Sequence, residues 1–118
     1  MNLTKPDPEG DLRQKLLTLA KLPNIWVKVS ELSSMSPKGS YPFAETYPYV
    51  KRVYESFGPD RLLFGTGYPG SARAAYHRPT LRQEIDLIGA GLPFLAPDDR
   101  AKILGNNAAK LWGFQTRT

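Results

Sequence analysis

Two stretches of this sequence are built for strands: IWVKVS at Ile25–Ser30, and the run RLLFGTGYPG that begins at Arg61. They constrain the fold because they differ. In the first, Ile25, Val27 and Val29 face one way while Trp26, Lys28 and Ser30 face the other, so one face is apolar and the second is mixed. In the second, Leu62, Leu63 and Phe64 are apolar on both faces, the pattern of a strand covered on both sides in a parallel sheet. Parallel strands require a crossover. The residues between supply a long loop rich in Ser, Gly and Pro from Glu31 to Pro42, then a helix from near Ala44. Phe43, Tyr47, Val50, Tyr54 and Phe57 recur there at helical spacing, with Pro48 in the first turn. Gly58-Pro59 is a strong stop, the glycine taking a left-handed C′ conformation. Strand, loop, helix and strand make a βαβ unit that should cross over right-handed.

Helices surround this unit. Residues 1–10, with two prolines and a glycine, read as a leader, and 11–118 as the domain. Asp11 is placed to cap a helix whose apolar face is Leu12, Leu16, Leu19 and Ala20, and Pro23 ends it. After a second long loop at 67–79, Thr80 and Gln83 have capping-box spacing, and Leu81, Ile85 and Ile88 line one face of the following helix. PDDRAKILGNNAAKLWGF then reads as a short helix stopped at Gly105 and a last helix with Ala108, Leu111 and Trp112 on its apolar side. Trp26, Phe64, Leu111 and Trp112 are most simply core. Both long loops follow the C-terminal ends of strands, the face where parallel α/β folds assemble binding and chemistry.

Composition removes much of the catalytic menu. The 118 residues contain no cysteine, which excludes disulfides, a thiolate nucleophile and cysteine-ligated metals, and one histidine, His77. No apolar run reaches the roughly 18 residues of a membrane span, and the N-terminus lacks a signal-peptide pattern, so a cytoplasmic location is the default. The net charge of +5 is spread over scattered lysines and arginines with no basic stripe or recognised motif, which favours a solvated surface over nucleic-acid binding. Gly65, Gly67 and Gly70 match neither a P-loop nor a dinucleotide fingerprint and are read as tight strand-end backbone.

Taken together, NIWVKVSEL (Asn24–Leu32), FGPDR (Phe57–Arg61), RLLFGTGYP (Arg61–Pro69) and ILGNNAAKLWGF (Ile103–Phe114) resemble the C-terminal part of the amidohydrolase-related metal-dependent hydrolases. The resemblance runs through the chain from about Asp11. It implies a TIM (β/α)8 barrel represented by its last two strand–helix units and C-terminal helices, with Asn24–Ser30 as the seventh strand, Arg61–Thr66 as the eighth and Thr80–Gly89 as the last barrel helix. A complete barrel has eight such units in typically about 250 residues. The resemblance also implies a divalent metal, such as zinc, held by histidines of earlier strands and by an aspartate ending the eighth. Gly67 stands at that aspartate's position and can neither ligate an ion nor move a proton, so no metal ligand is assigned within the chain.

The remaining candidates for substrate contact are Lys28, Glu31, Tyr68, Arg73 and His77. Lys28 could point into a barrel and hold a substrate carboxylate, or be paired or solvated. Glu31, just past the first strand, is the best-placed carboxylate for acid–base work, or a loop glutamate in water. His77, between Arg73 and Arg78, could serve an anion-binding loop as a proton donor, or be an exposed histidine without an orienting partner. The expected function is therefore the C-terminal portion of an amidohydrolase-related hydrolase, not catalytically competent in isolation and acting on a small molecule once the barrel is completed. A non-catalytic binding or interaction module of the same descent is the alternative. Two strands leave open edges, so self-association or pairing with another chain is expected.

Overall fold

Strands β1 (Val27–Ser30) and β2 (Leu62–Gly65) pair in parallel, Val27 opposite Leu62 and Ser30 opposite Gly65. This is the βαβ arrangement expected from the doubly apolar second strand, and it brings both C-terminal strand ends to one side. The structure is a computed structural model that describes residues 10–36, 39–68 and 79–115, excepting the side chains of Asp11 and Leu12. Among the described residues no other strand joins the sheet, and no helix is long and apolar enough to cross a membrane.

Helix α1 (Asp11–Thr18) is prolonged by a 3-10 turn, Leu19–Lys21. Its N-cap is Gly10 in the left-handed region with no side-chain cap, so Asp11 is the first helical residue rather than the cap. The expected loop after β1 opens with a short helix, α2 (Leu32–Met35), whose Leu32, Ser33 and Ser34 are buried. It starts at Glu31, which itself has φ 55° and whose carbonyl accepts from both the amide and the hydroxyl of Ser34.

Helix α3 (Tyr47–Phe57) follows a 3-10 turn, Ala44–Thr46, with Pro48 in its first turn as expected. It buries Val50, Val53 and Phe57. Gly58 ends it with φ 76° and ψ 160°, an extended positive-φ geometry and not the left-handed helical one. That conformation is open essentially to glycine alone, and it turns the chain sharply toward β2.

Helix α4 (Leu81–Asp86) begins with the reciprocal Thr80–Gln83 capping box and runs on through a π turn, Leu87–Gly91. Its buried face is Glu84, Leu87 and Ile88. Leu81 is exposed, so the expected Leu81–Ile85–Ile88 stripe is displaced by one position. Helices α5 (Pro97–Ala101) and α6 (Asn107–Trp112) are joined by a π turn across Lys102–Asn106, and Gly105 does not stop the helix. The stop is Gly113, at φ 70° and ψ 24°, where the Phe114 amide bonds back to the Ala109 carbonyl.

The core lies between one face of the sheet and the helices. Val29 and Leu62 from that face meet Leu16, Val50, Val53, Phe57, Leu87, Ile88, Leu92 and Ile103, and Phe64 packs at the margin. Trp26, Leu111 and Trp112 are not core: they are 39%, 38% and 59% exposed. Trp26 lies just before β1, and α6 is anchored by Asn107 rather than by its apolar side.

Three polar side chains fasten the helical segments to one another and to the sheet. The Arg61 guanidinium donates to the carbonyls of Ala20, Leu22 and Phe57, joining the end of the first helical segment to the end of α3. The Asn107 amide donates to Pro59 and Leu62 carbonyls at 2.7 and 2.8 Å, holding α6 against the entry to β2. Arg100 donates to the carbonyls of Ile88 and Leu92 and closes the C-terminal end of the α4 segment.

Candidate functional site at the strand ends

A shallow cleft, open to solvent and with an accessible volume of about 10 Å³, room for about one water, lies where the two strands end. Its floor is Val29, Ser30, Phe64 and Gly65; Glu31 and Leu32 form one wall, and Pro79, Glu84, Leu87 and Ile88 the other. The parallel pairing sets this position, since both chains leave the sheet at the same end and diverge over it. Glu31 is half-buried on the rim, where its left-handed backbone redirects the chain from β1 into α2.

Glu84 is the functional candidate that the sequence reading passes over. It is a carboxylate only 5% exposed, on the face of α4 that packs over the cleft. The signal was available: the capping box fixes where the helix starts, and from there Glu84, Leu87 and Ile88 fall on one stripe. An acidic residue in such a stripe is the informative exception to burial by polarity. The site thus has the Glu31 carboxylate on its rim and apolar walls, with the Glu84 carboxylate oxygens buried beneath one of them.

The remaining expected contacts disperse. Lys28 is exposed on the opposite strand face, outside the cleft lining. Gly67 and Tyr68 are exposed beyond β2, with the Tyr68 amide donating to Thr66 Oγ1 at 3.0 Å. Gly67 has φ 64°, so the backbone there takes the left-handed region that glycine enters most readily. Arg73 and His77 lie outside the described residues.

Among the described residues the donor set does not fit a divalent ion. Gly67 offers no side chain where the aspartate would stand, and among the described residues no three His, Cys, Asp or Glu side chains converge. A metal site of the hydrolase type needs several such ligands at one point.

Parallel strands joined through a helix define an α/β protein, and in such folds ligands commonly bind beyond the carboxyl ends of the strands. The amidohydrolase family profile matches residues 5–114, and the chain belongs to that family. It is similar to a 4-sulfomuconolactone hydrolase of Rhizobium radiobacter, 35% identical over 101 residues, which covers 83% of this chain and 32% of that enzyme. An L-fucono-1,5-lactonase of Burkholderia ambifaria is 32% identical over 103 residues, covering 80% of this chain and 32% of the enzyme. A 4-sulfomuconolactone hydrolase of Hydrogenophaga intermedia is 28% identical over 99 residues, covering 83% and 31%. The chain therefore spans about a third of the length of the curated relatives it matches. No solved structure matches it.

Proposed function

We propose that these residues form the C-terminal portion of a lactone-hydrolysing TIM barrel, contributing the last two strands and a substrate-facing rim but not the metal ligands. The observation that carries this is the parallel β1–β2 pair, which ends on a cleft while matching only about a third of each lactone-hydrolase relative. Within that third, the roles left to the chain are orientation and proton handling. Lys28, Glu31, Tyr68, Arg73 and His77 are the proposed substrate contacts, and Glu84 supports the rim from beneath. The lactone specificity of the relatives makes a small cyclic ester the substrate class. Gly67 favours a second reading, in which the assembled protein binds such a ligand without hydrolysing it.

The test compares the chain alone with the chain co-expressed with the part of the Rhizobium radiobacter 4-sulfomuconolactone hydrolase that precedes the matched region, assaying 4-sulfomuconolactone hydrolysis with zinc supplied. The proposal expects no turnover from the chain alone and a co-purifying complex with the added part. Saturable turnover by the chain alone would refute the proposed division of labour. A complex that binds the lactone without turnover would select the binding reading.

A further inference from the structure

We infer that Gly65 is a positioning residue that seats the Lys28 side chain, so that Lys28 presents its ammonium to an oxyanion at the C-terminal edge of the sheet. In the parallel register Lys28 lies opposite Leu63, and Gly65 lies two residues further along β2, opposite Ser30. The Lys28 stem nevertheless covers Gly65: a Cβ there would stand 2.6 Å from Lys28 Cδ, 3.0 Å from Cγ and 3.3 Å from Cε. The side chain therefore slants along the sheet toward its C-terminal end, in a groove that exists because residue 65 has no side chain. Alternation puts Lys28, Ser30, Leu63 and Gly65 on the face away from the helix-packed core, and neither strand carries an acidic residue. Among the described residues no hydrogen bond or ion pair engages the Lys28 ammonium.

This arrangement suits anion capture. A lysine held along its methylenes loses part of its rotamer freedom before a ligand arrives, which lowers the ordering cost of binding. Its compact ammonium suits a carboxylate or sulfonate as a point charge, without the fork geometry that arginine would impose. The inference deepens the lactone-hydrolase reading, on which it rests for the identity of the ligand: the anionic substituent of a small cyclic ester.

The test is NMR on the chain with ¹³C-labelled lysine, the Lys28 Cε–Hε signal being assigned by its loss in Lys28→Met. Lys21 and Lys110, exposed and engaged by no hydrogen bond or ion pair among the described residues, serve as references. The Lys28 methylenes should be more ordered than theirs, and sodium acetate or sodium methanesulfonate should shift the Lys28 signal saturably where sodium chloride does not. In Gly65→Ala the three atoms nearest the added methyl all belong to the flexible lysine stem, which can swing aside, so the amide spectrum should keep its dispersion while the order is lost and anion affinity falls severalfold. The acetate and methanesulfonate arms distinguish a carboxylate from a sulfonate preference.

Equal mobility at Lys28 and Lys110, or an unchanged anion response in Gly65→Ala, would overturn the inference. Saturable shifts at Lys28 combined with a turnover-free reconstitution would uphold it while removing the hydrolytic reading.

Discussion

Replacing Asn107 by alanine tests how the C-terminal helix is tied to the sheet. The Asn107 amide uses both of its N–H donors, one on the part-buried Pro59 carbonyl and one on the buried Leu62 carbonyl, and the residue is only 8% exposed. Losing the first bond should cost about 1 kcal/mol, because water can reach the vacated acceptor. Losing the second leaves a buried acceptor unsatisfied, at about 2 kcal/mol. The sum of about 3 kcal/mol is a large fraction of the roughly 5–15 kcal/mol that holds a domain folded, and corresponds to a fall of roughly 10 °C in Tm for a chain of this size. Urea denaturation followed by tryptophan fluorescence and far-UV circular dichroism measures it, provided the two probes coincide. Asn107→Asp is the companion variant. Its carboxylate can only accept and faces two carbonyl acceptors, so its stability deficit should widen as pH rises above about 4, the ordinary aspartate pKa. An Asn107→Ala loss below about 1 kcal/mol, or an Asn107→Asp deficit that does not change with pH, would refute the assignment of Asn107 as the fastener of α6.

Gly58→Ala should destabilise by about 1–3 kcal/mol through backbone strain alone, since residue 58 sits at φ 76°, ψ 160° and an added Cβ meets nothing within 4 Å; a neutral effect in the same urea assay would contradict that backbone geometry. The Tyr54 phenol donates to Asp99 at 2.6 Å, and this hydrogen bond, followed by burial, raises its pKa above the usual 10.0. A raised folded-state pKa contributes stability that is present below about pH 10 and is lost as pH climbs through the folded value. Tyr54→Phe should therefore flatten the alkaline limb of a Tm-versus-pH profile, and an unchanged limb would remove Tyr54 from it. Arg61→Lys should cost about 2 kcal/mol in the same denaturation assay, because one ammonium cannot span three carbonyls on two helical segments, and equal stability of the two proteins would show that the span is not needed.

The parts of the fold legible in the sequence are those dictated by short-range chemistry. The parallel pair follows from the doubly apolar Leu62–Phe64 run, and the start of α4 from the Thr80–Gln83 box. Helix α3 follows from its apolar spacing and from Pro48 in the first turn. Legibility fails where two local signals look alike. Gly105 and Gly113 are both candidate stops, but only Gly113 leaves the right-handed region, while Gly105 is absorbed into a π turn. At the site, Gly67 could be read as a missing carboxylate because the strand frame around it is distinctive. Glu84 could not be read from polarity, since its burial comes from the helix's phase against Leu87 and Ile88 and not from its own character. Leu111 and Trp112 show the converse: an apolar helical stripe predicts that something covers it, not that the cover lies within the same residues.

The central claim is that β1 and β2 are a segment of a larger parallel sheet, and amide hydrogen exchange tests it most directly. Residues whose N–H groups point away from the partner strand should exchange rapidly in the chain alone, while those in the Val27–Ser30/Leu62–Gly65 ladder are protected. On addition of the upstream part of a lactone-hydrolase relative, those outward amides should become as slow as the ladder. Outward amides already protected in the monomeric chain, or unaffected by the added part, would contradict the claim.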